Sequence, residues 1–211
     1  GVFVMEAHHL GAMIEGLQYD WIYHEHRYYY SLLALERHLA AHGLSVFDVE
    51  PVELHGGSMR YYICKDLRAP SPSVARLRQQ ELDLGLRRVE TFIEFAVGVW
   101  RHAAHLRRVI GAYRDAGQRI AGYGASGRAN ALMQAGGFAV DYMVDDAPAK
   151  HGYCTPGTHV EIRPRDALRS DPPDLVLVFA WTYQDEILPK IEQPVILPLP
   201  RIEVLAQRMA A

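Results

Sequence analysis

Short apolar runs and stretches of helical spacing alternate along the chain in three blocks. Gly1 to Glu6 is an apolar run of strand type, and Leu32, Leu35, Leu39 and His42 recur at helical spacing. Gly43 stands where a C′ glycine ends a helix. Leu44 to Leu54 reads as a strand, Gly56-Gly57 as a turn, and Met59 to Cys64 as an antiparallel return. The Pro/Ser segment 68–73 reads as a linker, and Val74 to about Gly117 as helical. In that stretch Val89, Phe92, Ile93, Ala96, Val97, Trp100, Ala104 and Leu106 build an apolar face, and the many arginines fit a solvated face. Beyond it β and α alternate: Gln118 to Tyr123, a helix from Arg128 to Gln134, Val140 to Val144, Leu175 to Phe179, and Pro194 to Leu197. Continuous apolar strands such as Leu175 to Phe179 suit a parallel sheet covered on both faces, so the fold class is α/β.

Composition narrows the functions. The chain has 211 residues, 49% of them hydrophobic, enough for one large or two small cores. A net charge of −3 argues against a nucleic-acid partner. There is no apolar run of membrane-spanning length and no signal peptide. Cys64 and Cys154 are too few and too far apart for a disulfide framework or a structural zinc site, and a reducing cytoplasm fits. The chain opens without an initiator Met in a β-like run, which is expected of a cut inside a domain.

The chemistry concentrates at Tyr23-His24-Glu25-His26, within a run of aromatics from Tyr19 to Tyr30. Imidazole titrates near neutral pH, and a flanking carboxylate and phenol can fix its tautomer. The run reads either as a general base with its supports or as solvated residues at a helix start. A metal site fits poorly, because His24 and His26 are two apart and diverge on a helix, whereas a zincin spaces its histidines at i and i+4.

Gly122-Tyr123-Gly124-Ala125-Ser126-Gly127 is a G-x-G-x-x-G between a predicted strand and a predicted helix. Such a loop brings backbone N–H groups and a helix N-terminus to an anion. Asp145 follows Gly122 by 23 residues, at the end of the next strand, as the ribose acid of a dinucleotide site would. Arg128 favours another phosphate ligand. The turns at 146–152 and 155–159 are expected to carry Lys150, Thr158 and His159 toward the carboxyl ends of the strands; ordinary loop chemistry is the alternative.

Together these segments resemble the nucleotide-sugar C-methyltransferases of deoxysugar biosynthesis, SAM-dependent enzymes that methylate C3 of an NDP-4-keto-hexose. The resemblance rests on Tyr-x-Glu-His at 23–26, His55-Gly56-Gly57-Ser58-Met59-Arg60, and Gly-Tyr-Gly-Ala-Ser-Gly-Arg-x-Asn at 122–130. Val144-Asp145-Asp146-x-Pro-x-Lys150, Tyr153-x-Thr155-Pro156-Gly157-Thr158-His159 and Phe179-Ala180-Trp181 extend it. It implies the end of a class I methyltransferase Rossmann sheet at 1–66, a linker and long helical segment at 67–117, and a small Rossmann-like C-terminal domain at 118–211. It places the base at His26, oriented by Tyr23 and Glu25. His55, Ser58 and Arg60 either line the sugar site or merely flank a turn. Gly124, Ala125, Ser126, Gly127, Arg128 and Asn130, with Asp145, Lys150, Thr158 and His159, are the expected nucleotide-sugar residues.

The family also implies a zinc-binding N-terminal region and a glycine-rich SAM loop, and this chain carries neither. By itself it is expected neither to methylate nor to bind SAM well, and its partner would be the N-terminal part of its own enzyme. Two other classes stay open. One is an NAD-dependent oxidoreductase using the glycine loop; the other is a non-catalytic module holding a nucleotide-sugar.

Overall fold

The computed structural model describes residues 1–53, 56–65 and 68–206. Contacts divide the chain into two units, Gly1–Gln18 with His26–Val97, and Tyr19–Glu25 with Gly98–Ala211. The architecture is mixed α/β with one antiparallel and one largely parallel sheet.

In the first unit β1 (Val2–His8), α1 (Leu10–Glu15), α2 (Leu32–Ala40), β2 (Ser45–Val52) and β3 (Ser58–Cys64) follow one another. The sheet order is β1-β3-β2, with β3 antiparallel to both neighbours. Alternation on β3 turns Met59, Tyr61 and Ile63 inward, against Leu32, Leu35 and Leu39 of α2. Ser31 caps α2 by accepting the Ala34 N–H, and Leu44 N–H returns to the Leu39 carbonyl past Gly43. The strand β1 lies at the sheet edge with Val2, Phe3 and Val4 exposed.

The helical block is two helices, not one. α3 (Pro72–Asp83) starts inside the segment read as a linker, with Ser71 at the N-cap and Pro72 in the first turn, where its missing N–H costs nothing. α4 (Val89–Asp115) follows after a break around Gly85. The buried Glu81 of α3 accepts from Leu32 N (2.6 Å), Leu33 N (2.8 Å) and His9 Nε2 (2.9 Å), so it closes the N-terminus of α2.

The second unit holds β4 (Ile120–Tyr123), α5 (Gly127–Gly136), β5 (Tyr142–Asp145), β6 (Ile162–Pro164), α6 (Ala167–Ser170), β7 (Leu175–Val178), α7 (Gln184–Ile187), β8 (Val195–Leu197) and β9 (Glu203–Leu205). The order is β6-β5-β4-β7-β8-β9, parallel except for β9. The strands β4, β5, β7 and β8 are buried along their whole length, as their apolar runs require. The strands β6 and β9 are additional to the sequence reading; each is three residues long and only partly apolar. Among the described residues no helix is long and apolar enough to cross a membrane.

Candidate functional site

The glycine loop lies between β4 and α5, at the carboxyl edge of the parallel sheet. Ser126 is the N-cap of α5 and accepts the Ala129 N–H (3.3 Å). The loop is pinned by Asp145 at the end of β5. Asp145 accepts from Ala125 N (2.8 Å), Ala147 N (2.9 Å) and Lys150 Nζ (2.8 Å), and Lys150 also donates to the Ala125 carbonyl (2.9 Å). Asp145 and Lys150 thus knot two loops together, and both oxygens of the carboxylate have protein donors.

The three motif glycines each admit a neighbour. A Cβ at Gly122 would overlap Met143 and come within 2.7 Å of the Phe179 ring. Gly124 has φ +94°, and Ala180 approaches it from the loop after β7. At Gly127 a Cβ would fall 2.5 Å from Cδ2 of Tyr23, so the phenol ring rests on the bare first residue of α5. Tyr23 in turn donates its hydroxyl to Glu25 Oε2 (3.2 Å). Burial and the neighbouring Glu25 carboxylate push the Tyr23 phenol upward, so it keeps its proton near neutrality. His24 and Glu25 are exposed and His26 is half-buried; the division between the two units falls between Glu25 and His26.

Arg128 is almost fully buried. Its Nε donates to Asp20 Oδ2 (2.8 Å) and its Nη1 to Thr182 Oγ1 (3.0 Å), while Nη2 lies 2.6 Å from Asp20 Oδ2. The guanidinium carbon sits 4.4 Å from the Trp21 ring centre and 5.1 Å from that of Trp181. Asn130 has a buried Oδ1 without a hydrogen-bond partner. The turn at 155–159 is drawn together by Thr155 Oγ1 and Thr158 Oγ1 (2.7 Å), and Gly157 faces Gln134, two turns into α5. Its described hydrogen bonds do not join Thr158 or His159 to the glycine loop; His159 is exposed with φ +54°.

In the first unit Arg60 lies opposite both Glu6 and Glu50 on the neighbouring strands and bonds both, at 3.0 Å each. Those carboxylates raise the Arg60 pKa. Ser58 is buried at the start of β3, and His55 lies outside the described residues. Gly56 and Gly57 both have positive φ and press against Gln18 and Ala12. Gln18 belongs to none of the sequence motifs. It links His8 Nε2 (2.9 Å) to the Gly56 carbonyl (2.7 Å), and nothing in its flanking residues marks it. The same holds for Asp20, which the aromatic run around it obscures.

The structure therefore brings two sequence-distant motifs together, the 23–25 segment and the loop at 122–128. Residues 53–196 match the family model described as the C-methyltransferase C-terminal domain. The chain belongs to the C-methyltransferase family. It is 31% identical over 193 residues to C-methyltransferase NovU of Streptomyces niveus, an alignment that covers 89% of this chain and 46% of that protein. The chain thus spans about half the length of the curated relative it matches.

Among the described residues no site fits either cofactor of the resemblance. For SAM, the one glycine motif between a strand and a helix has its Ala125 N–H bonded to Asp145 and its Gly127 covered by Tyr23. For zinc, no group of three His, Cys, Asp or Glu able to hold a metal occurs among the described residues.

Proposed function

We propose that this chain is the C-terminal portion of a SAM-dependent C-methyltransferase acting at C3 of a 4-keto nucleotide-sugar. The observation that carries the proposal is the contact of Tyr23, the first residue of the Tyr-x-Glu-His motif, with Gly127, about a hundred residues on in the second motif that the family resemblance picks out. The three-stranded sheet supports residues 1–66 as the end of a methyltransferase sheet, with the exposed edge β1 available to further strands. The methyl donor belongs to the part of the enzyme outside this chain.

His26 takes the proton at the carbon alpha to the ketone. A base alone is insufficient for so weak an acid, and preorganised donors to the developing enolate oxygen supply most of the stabilisation. Tyr23 holds its proton near neutral pH and serves as one such donor; Glu25 fixes the direction of the phenol. Gly124, Ser126 and Asn130 with its unmatched carbonyl oxygen flank the nucleotide end, while Gly127 and Arg128 are taken up by Tyr23 and Asp20. Asp145 and Lys150 shape that loop. Ser58 and Arg60, at the start of β3, either line the sugar site or flank the turn, and Thr158 and His159 belong to a separate turn. The enzyme works in the cytoplasm, where nucleotide-sugars are made. An NAD reading is disfavoured, because the acid that would meet a ribose already has three protein donors.

Calorimetric titration of the chain with TDP, a TDP-sugar, NAD and SAM tests this reading. Heat with the TDP species alone supports it, and heat with NAD alone overturns it. In the full-length enzyme, His26→Ala should abolish methylation while nucleotide-sugar binding persists. Activity near wild type removes His26 as the base.

A further inference from the structure

Residues 19–25 are held in the second unit by two side-chain chains. Tyr19, 3% exposed, donates its hydroxyl to His102 Nδ1 (3.1 Å), and His102 Nε2 donates to the Pro198 carbonyl (2.8 Å). A carbonyl only accepts, so the proton sits on Nε2 and Nδ1 is the acceptor. Next to it Asp20, 0% exposed, receives Arg128 Nε and Trp181 Nε1 (2.9 Å) on the same oxygen. One tight turn then leads to Tyr23, with Ile22 N–H on the Tyr19 carbonyl (3.0 Å) and Tyr23 N–H on that of Trp21 (3.1 Å). The phenol ring ends on Gly127, one residue before Arg128.

We propose that Asp20, Arg128 and Trp181, together with the bare Cα of Gly127, are positioning residues that set the Tyr23 phenol for the reaction. This rests on the methyltransferase reading of Tyr23 given above. A buried ion pair is a weak source of stability, since apolar groups of similar volume often serve as well. What it supplies is one arrangement among many. The guanidinium is a planar fork, and Nε bound to Asp20 with Nη1 bound to Thr182 fixes its plane between two indoles. Arg128 is in the first turn of α5, so the same contact fixes the 19–23 turn relative to the helix start on which Tyr23 lies. The third motif glycine then has a use unrelated to a dinucleotide, as the floor beneath a phenol.

The chain carrying 3-fluorotyrosine gives the direct test, with the Tyr23 signal assigned by its loss in Tyr23→Phe. Gly127→Ala and Asp20→Asn should each move that signal toward the free amino-acid value. Trp181→Phe, which removes the N–H with the pyrrole ring but keeps an aromatic face, should move it in the same direction and less. In the full-length enzyme Gly127→Ala should lower kcat about tenfold or more, as an ångström-scale misplacement does, with KM for the nucleotide-sugar nearly unchanged. Gly127→Ala on top of Tyr23→Phe should cost nothing further, a non-additivity that a purely structural role would not show. A Tyr23 signal that stays in place in Gly127→Ala and Asp20→Asn overturns the clamp, as does a moved signal with unchanged kcat. A moved signal together with full activity in Tyr23→Phe instead overturns the methyltransferase role of Tyr23, so the two failures are told apart.

Discussion

Glu81 in the antiparallel unit and Asp20 in the parallel one are both buried, at 1% and 0% exposure, and each ties down a segment remote in sequence. Their partners differ. Glu81 divides its two oxygens between the free N–H groups of Leu32 and Leu33 and the imidazole of His9, all dipoles or a titratable ring. It sits at a helix N-terminus, where the backbone itself favours a carboxylate. Asp20 depends on side chains alone, one permanently charged guanidinium and one indole. A carboxylate met by backbone keeps its partners through most substitutions around it. One met by side chains is only as secure as those residues, and its removal strands a charge.

That difference can be broken at its larger end first. Asp20→Ala leaves the buried Arg128 charge without its carboxylate, and should cost about 3–5 kcal/mol. Urea unfolding of the chain, followed by tryptophan fluorescence, would measure it. Asp20→Ala with Arg128→Met should recover much of the loss, because no lone charge remains. A double variant as weak as the single would mean that packing, not charge, sets the cost. Glu81→Gln should cost less, about 1–3 kcal/mol, since one amide oxygen still accepts from the helix start. Equal losses at the two sites would erase the distinction between backbone-held and side-chain-held carboxylates.

Much of this was legible in the sequence. The strands β4, β5, β7 and β8 are apolar runs that can only be buried, and Gly56-Gly57 between two strand patterns fixes a hairpin. The 122–127 motif announced a strand, a turn and a helix. Its meaning was not legible, because the three glycines face Met143 and Phe179, Ala180 and Tyr23, all distant in sequence. Asp145 showed the spacing of a ribose acid, and only the fold reveals Ala125, Ala147 and Lys150 around it. The strands β6 and β9 are too short to show a period. The break between α3 and α4 has only Gly85 to mark it, within a stretch otherwise rich in helix-forming residues.

His102 extends the comparison to pH. Burial lowers its pKa from the ordinary value of about 6.5. Below that ordinary value the unfolded chain therefore binds more protons than the folded one. Stability from this residue is complete above about pH 6.5 and is lost as the pH falls through the lowered folded value. The urea midpoint should drop between pH 7.5 and 5.5, and His102→Gln should flatten the drop. A slope unchanged in His102→Gln would assign the acid sensitivity elsewhere and free the Tyr19 anchor from pH.

Arg60 marks the small end. Like Arg128 it meets carboxylates, Glu6 and Glu50, but it does so on an open face of β3 where water screens all three charges. Replacing it with Met removes the charge and keeps a flexible stem on the strand, so the urea midpoint should hardly move. Added salt should weaken the wild-type arrangement a little and leave Arg60→Met unaffected. The same variant in the full-length enzyme separates its two readings. If Arg60 lines the sugar site, KM for the nucleotide-sugar rises while the fold is untouched. If it only bridges Glu6 and Glu50, KM stays where it was, and the contrast with Arg128 becomes purely one of burial.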